Sequence, residues 1–144
     1  MKFRFEKTDE KEEIVAYGKE KTELILKVEK LCLERDVKLV GYYNNGRFKE
    51  LSIEEIDCFI TSDNKVVAIC QNERLKVKYK LYEIFENFQE SLVYINQGCL
   101  ANISKIKHFD TSIGGALLIV FKSGYKDYVS RRQIKNVKER LGLK

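Results

Sequence analysis

Residues 37–79 read VKLVGYYNNGRFKELSIEEIDCFITSDNKVVAICQNERLKVKY, and this stretch decides the fold class. Short apolar runs alternate with residues that reverse a chain. Residues 37–43 lead into Asn44-Asn45-Gly46, where Asn and Gly accept positive φ at low cost, and residues 47–51 return as the partner strand. Residues 56–61 and 65–70 flank a second turn at Ser62-Asp63-Asn64. Asn72 turns the chain again into residues 74–79, where Leu75, Val77 and Tyr79 alternate with Lys76 and Lys78. A period of two between closely spaced turns predicts hairpins of short strands.

Beyond this stretch, Leu81, Ile84, Phe85 and Phe88 share one face of a short helix over residues 81–88. Strands are predicted at residues 92–95, 100–103, 116–122 and 126–129, the last two joined at Ser123-Gly124. Ser130 and Gln133 stand three apart, as in a capping box, and open a final helix. Its buried stripe is Ile134, Val137 and Leu141, and Gly142 is placed to stop it. Arg131, Arg132, Lys135, Lys138 and Arg140 form its outward face, and the helix dipole adds to the positive potential at Arg131 and Arg132.

Toward the N-terminus, residues 1–6 alternate with Phe3 and Phe5 on one side, the pattern of a short half-buried strand. Residues 8–13 form a charged loop and residues 14–17 a second strand. A helix is predicted over residues 19–35, with Leu24, Val28 and Leu31 on its apolar stripe and Ile25 and Cys32 beside it. Leu26 and Leu33 lie off that stripe and mark either an extra docking face or a broad core face. The expected fold is therefore mostly β (α+β). A strand-helix extension over residues 1–36 precedes a domain over residues 37–144 with about ten short strands and two short helices.

At 144 residues and 16.9 kDa, with 44% hydrophobic and 34% charged residues, the chain is long enough to bury a core and too apolar to be disordered. No apolar run is long enough to span a bilayer, and the first residues lack the apolar region of a signal peptide, so a cytoplasmic protein is expected. Cys32, Cys58, Cys70 and Cys99 are widely spaced inside apolar patterns and read as reduced core cysteines, not as a metal site or disulfide framework. No Gly-rich loop joins a strand to a helix, which excludes Rossmann and P-loop nucleotide sites. His108 has no Cys or carboxylate at a catalytic spacing and reads as a surface or loop histidine. The expectation is a protein with no cofactor, no metal, no small-molecule substrate and no enzymatic activity.

The net charge of +5 is unevenly spread. Residues 103–144 carry 10 Lys/Arg against 3 Asp/Glu, whereas residues 51–102 carry 5 against 8. Positive charge in the C-terminal third favours an anionic partner, with nucleic acid first and a membrane surface second; a solvated basic surface is the plainer account.

The segments LVYINQGCLANI at residues 92–103 and DYVSRRQIKNVKERL at residues 127–141, with IEEIDCFITSDNKVVAI at residues 53–69, resemble the LytTR DNA-binding domain of bacterial transcription regulators. Asn102 falls on the family's near-constant Asn, Lys105-Ile106 on the K-I that follows it, and Ser130-Arg131-Arg132 on the start of the last helix. The resemblance covers about residues 37–144, and is closest to the stand-alone group that has a short N-terminal segment in place of a receiver domain. It implies an elongated, mostly β fold in small sheets that enters successive major grooves of bent DNA with loops and strand edges. It also implies a membrane-protein inhibitor encoded nearby, and a homodimer on paired half-sites is expected because one small module rarely reaches operator affinity alone. Tyr94 stands where the family has Arg or Gln, Gly98 where it has Ser, and Ala101 where it has a larger apolar residue.

The resemblance implies that Arg132 contacts bases, where a guanidinium can donate two parallel bonds to guanine, and that Arg131 takes phosphate. Gln97, in the loop before the Asn102 strand, is the second contact position, with Asn96 beside it. Asn64 and Lys65 lie on the turn of the third contact region. Lys105, Lys107 and Lys135 are placed to face phosphates, adding salt dependence without sequence information. Each also has a plain reading as a solvated surface or turn residue. Asn102 reads as structural, an Asn that ties a loop together through bonds to backbone. The leading function is a sequence-specific DNA-binding transcription regulator. The alternative is a protein-interaction module with a decayed DNA surface that sequesters a partner, a reading that Tyr94 and Gly98 favour.

Overall fold

A computed structural model of the protein describes residues 3–6, 13–34, 38–111 and 114–143. Helix α1 (Glu23–Glu34) precedes strands β1 (Leu39–Tyr42), β2 (Phe48–Leu51), β3 (Ile56–Ser62), β4 (Lys65–Cys70) and β5 (Arg74–Val77). Helix α2 (Leu81–Asn87) leads to β6 (Leu92–Asn96), β7 (Cys99–Asn102), β8 (Ile106–Asp110), β9 (Leu117–Phe121) and β10 (Lys126–Val129), and α3 (Ile134–Arg140) ends the fold. One sheet has the order β2-β1-β5-β4-β3-β7-β6 and a second the order β10-β9-β8. The mostly β architecture, with ten strands and two short α-helices after α1 among the described residues, is the one expected.

The turns fold as their residues dictate. Ser62 pairs with Lys65 across a two-residue loop in which Asp63 (φ 51°) and Asn64 (φ 63°) both take the left-handed conformation that Asp and Asn tolerate. At the first hairpin the Tyr43 N–H donates to the Arg47 carbonyl at 2.8 Å, and Asn45 Oδ1 accepts from the Arg47 N–H at 3.0 Å. Only Tyr42 of β1 pairs with β5, opposite Lys76, so side chains complete that junction. Glu73 binds Lys49 of β2 and accepts the Tyr43 hydroxyl at 2.9 Å. These two partners hold the Glu73 carboxyl below its ordinary pKa. Gly41 lets the strands close: a Cβ there would meet Leu51 Cδ1 at 2.6 Å and Leu75 Cβ at 2.8 Å.

The large sheet is buried on both faces along its central strands. Phe59, Val66, Ala68, Leu75, Leu92 and Leu100 face one core, closed by Leu81, Ile84 and Phe88 of the α2 segment. Cys58, Ile69, Val93, Ile95, Cys99 and Ala101 face the other, closed by Ile119 and Phe121 of β9, Val129 of β10 and Val137 of α3. Each Val, Leu, Ile or Phe among them, fully buried, stabilises the fold by about 1.5–3 kcal/mol. Polar ties join the layers: Asp57 Oδ2 accepts from the Ser123 N–H at 2.9 Å, and the Ser130 N–H donates to the Ile95 carbonyl at 2.8 Å.

Several expectations are corrected. The strand β8 is hidden in the sequence because a bulge between Ile106 and His108 breaks the period of two; His108 is at the surface, one of the two expected placements, and stands on that strand. Residues 3–6 and 14–17 form no strand, since no neighbouring strand pairs with them, and Phe3 and Phe5 are 92% and 79% exposed. Met1, Lys2 and residues 8–12 of the expected charged loop lie outside the described residues. Helix α1 starts at Glu23, four residues late, because Thr22 Oγ1 accepts from the Ile25 N–H at 3.3 Å and caps it there. Its stripe is not buried: Leu24 and Leu31 are about half exposed, and so is Leu26. Cys32 is exposed and is not a core cysteine.

The capping box at Ser130 does not form. The Ser130 N–H is already given to Ile95, so Gln133 cannot reach back to it. Instead the Gln133 N–H donates to the Ser130 carbonyl at 2.9 Å, and residues 131–133 make a turn before α3 opens at Ile134. At the other end Gly142 (φ 69°) closes α3 as expected, its N–H bonding to the Glu139 carbonyl and that of Leu143 to the Lys138 carbonyl. Arg140 turns inward, donating to the Gln89 carbonyl at 2.8 Å.

Two outcomes follow. Gly41→Ala is expected to lower stability by about 1–3 kcal/mol through overpacking, measured by urea unfolding. A thiol reagent is expected to modify Cys32 rapidly in the native protein and Cys58, Cys70 and Cys99 only on unfolding, since burial pushes the Cys70 thiol up to about 11.

Candidate nucleic-acid interface

Three turns meet at one end of the large sheet. The Asp63-Asn64 turn joins β3 to β4, and the Gln97-Gly98 turn joins β6 to β7. The Thr61 N–H donates to the Gly98 carbonyl at 3.0 Å, so the second turn lies beside the first. The Ser130–Ile95 bond then brings the chain leaving β10 against β6, two residues before Gln97. Asn64, Lys65, Gln97, Arg131 and Arg132 are thereby gathered at this end, and all are exposed. Lys135 follows on the exposed side of the first turn of α3.

Asn96 holds this end together from inside. It is 5% exposed, and Nδ2 donates to Asp127 Oδ1 at 3.0 Å and to the Tyr128 carbonyl at 2.9 Å. Its Oδ1 accepts from the Gly98 N–H at 2.9 Å, which shapes the turn. With both ends of the amide engaged, Asn96 positions the neighbouring turns and offers nothing outward. Lys105 does not join them. It lies at the far end of β7, half-buried in the one-turn helix Ile103–Lys105, beside a cleft shared with Glu54, Glu55, Asp57 and Glu73.

Asn102 ties that far end as expected: Nδ2 donates to the Ile53 and Ile56 carbonyls, each at 2.9 Å, and Oδ1 accepts from the Ser104 hydroxyl at 2.9 Å. Tyr94 packs toward α2, with its ring centroid 5.1 Å from that of Phe85, and burial raises its pKa. Ala101 is fully buried in the second core. A Cβ at Gly98 would meet only Asn96 Oδ1, at 3.8 Å, an ordinary contact.

This end presents cations and hydrogen-bonding side chains to solvent. Arg131, Arg132 and Lys65 supply cations, and the Gln97 amide supplies a paired donor and acceptor of the kind that matches adenine. The nearby carboxylate of Asp127 is directed inward to Asn96 and to the Tyr128 N–H at 2.8 Å. Among the described residues no cluster of His, Cys, Asp and Glu could hold a metal ion, and no helix is long and apolar enough to cross a membrane.

Residues 46–142 match the LytTr DNA-binding domain family. The chain belongs to the LytTR family. The fold agrees: a solved LytTr DNA-binding domain from Bacillus cereus superposes with a TM-score of 0.65 at 18% identity, covering 74% of this chain and 97% of that one. Uncharacterized HTH-type transcriptional regulators of Staphylococcus aureus are also similar. That of strain NCTC 8325 is 26% identical and that of strain bovine RF122 27% identical, each over 111 residues, or 77% of this chain and 75% of the relative. In this LytTR chain α2 and α3 are separated by five strands, and the exposed polar groups at this end of the sheet sit on turns.

Sequence reasoning missed Tyr128 at this end of the LytTR domain. It is 54% exposed beside the turn that follows β10, and its signal was the alternation of Lys126 and Tyr128 along that strand. Asn96→Ala is expected to cost about 2–3 kcal/mol of stability by stranding buried partners, seen as a lower urea midpoint at unchanged slope.

Proposed function

We propose that this LytTR protein is a sequence-specific transcription regulator that reads duplex DNA with the three clustered turns. The observation that carries this reading is the convergence of Asn64 and Lys65, Gln97, and Arg131 and Arg132, all exposed, at one end of the sheet. Arg132 donates to guanine and Gln97 reads adenine. Arg131 and Lys135 take phosphates, with Asn64 or Lys65 at the third contact. Lys105, standing at the far end among carboxylates, makes no contact in a single domain's footprint.

The protein acts in the cytoplasm, on paired half-sites as a homodimer, because one module of this size rarely reaches operator affinity alone. The duplex bends so that successive grooves meet the turns, and no catalytic step or cofactor is involved. Residues 1–36 act as an extension to the domain over residues 37–144, supplying the dimer or partner surface. A protein partner, such as a membrane-bound inhibitor, is the second reading. The exposed apolar residues of the extension, including Phe3, Phe5, Tyr17, Leu24 and Leu31, favour it.

Fluorescence anisotropy with DNA from upstream of its own gene, against scrambled DNA of equal length, tests the first reading over about 50–200 mM salt. Wild type is expected to prefer the upstream DNA. Arg132→Ala and Gln97→Ala are each expected to lower specific affinity about tenfold and to narrow the preference. Equal, weak binding to both DNAs, unmoved by either substitution, overturns it.

A further inference from the structure

The second layer covers only part of one sheet face. A single row of paired residues crosses that face: Phe48 on β2, Tyr42 on β1, Lys76 on β5, Val67 on β4, Ile60 on β3 and Cys99 on β7. Cys99 is fully buried, Ile60 and Val67 are half-buried, Lys76 is exposed, and Phe48 is 68% exposed. The three-stranded sheet therefore stops near β4, and among the described residues the β2-β1-β5 half of the face is open.

That open half is basic. Arg74 pairs opposite Ile69, on the same face as Lys76. Lys78 lies there too, its Nζ 4.5 Å from the Tyr42 ring centroid. Lys65 stands one step past the Val66–Val77 pair, at the same level as Lys78. β4 leaves the Asp63-Asn64 turn and β5 runs back toward it. The cations thus climb from the reading end in order: Lys65 and Lys78, then Lys76, then Arg74. Among the described residues neither Lys65 nor Lys76 makes an ion pair. Lys78 and Arg74 rest on aromatic rings, Arg74 at 5.6 Å from the Tyr125 centroid. On β1, β2 and β5 the one carboxylate directed to this face is Glu50, opposite Val40 at the outer edge.

Neighbouring like charges without carboxylates are unfavourable unless an anion covers them. We propose that this open face takes the sugar-phosphate backbone of the duplex flanking the sequence read by the turns, drawing the DNA along β5 and bending it toward that side. The occupant follows from continuity, since Lys65 belongs both to the reading turns and to the foot of the ladder. This inference rests on the DNA-reading function proposed above and adds to it the path of the flanking duplex.

The test compares wild type with the double variant Lys76→Gln/Lys78→Gln, both exposed positions, on duplexes that carry the upstream site with progressively longer flanks. Melting temperature and circular dichroism confirm that the variant is folded. Wild-type affinity is expected to rise with flank length, and end-to-end energy transfer to report a bend. The double variant is expected to lose that gain and part of the bend, to keep its sequence preference, and to show a salt slope shallower by about 1.8, or about 0.9 per lysine. An unchanged flank gain and salt slope overturns the proposal. So does loss of binding to phosphatidylserine vesicles in the variant with DNA binding untouched, which assigns the face to lipid. Arg132→Ala run alongside separates the two readings: if the turns do not read DNA, wild type itself shows no sequence preference.

Discussion

The buried amide of Asn96 is the constraint on which the end of the sheet proposed to read DNA depends. One side chain fixes the Gly98 backbone at one turn and, through Asp127 and Tyr128, the strand that delivers Arg131 and Arg132 at another. The adjacent Ser130–Ile95 bond repeats the tie through the backbone. In a dry site an unmade bond carries the full desolvation penalty, so this junction has one favourable arrangement. Exposed side chains that must hold a fixed spacing are thereby mounted on a rigid scaffold, although they sit on turns.

The parts of the fold that local chemistry determines were legible in the sequence. The hairpins at Asn44-Asn45-Gly46 and Asp63-Asn64 follow from residues that tolerate positive φ, and the central strands from alternation that serves two cores. What escaped was decided at a distance. The strand at Ile106–Asp110 was hidden by its bulge. The cap at Ser130 was lost because β6 takes its N–H, and the N-terminal strands failed for want of a partner. The same holds at the reading end. Gln97 and Asn96 are neighbours, yet a bulge between Tyr94 and Asn96 buries both Ile95 and Asn96 and leaves Gln97 outside. Lys105 looked like a strand lysine in simple alternation, but a one-turn helix carries it to the opposite end.

The uneven charge along the chain is redistributed once folded. Acidic residues of the middle segment, Glu54, Glu55, Asp57 and Glu73, line the far cleft, while the arginines after β10 stand at the turns. Lys105 and Lys122 line that cleft too, so its charge is mixed, whereas the turns present Arg131, Arg132 and Lys65.

Gly98 gives this scaffold an evolutionary consequence. Its backbone is committed to Asn96, but the space where a side chain would begin is open, with one ordinary contact at 3.8 Å. A mutation there adds a chemical group at the reading end without disturbing either core, and the same freedom holds for the exposed side chain of Gln97. The groups presented on the turns can therefore change by single replacements, while Asn96, a residue away from Gln97, is held by the fold.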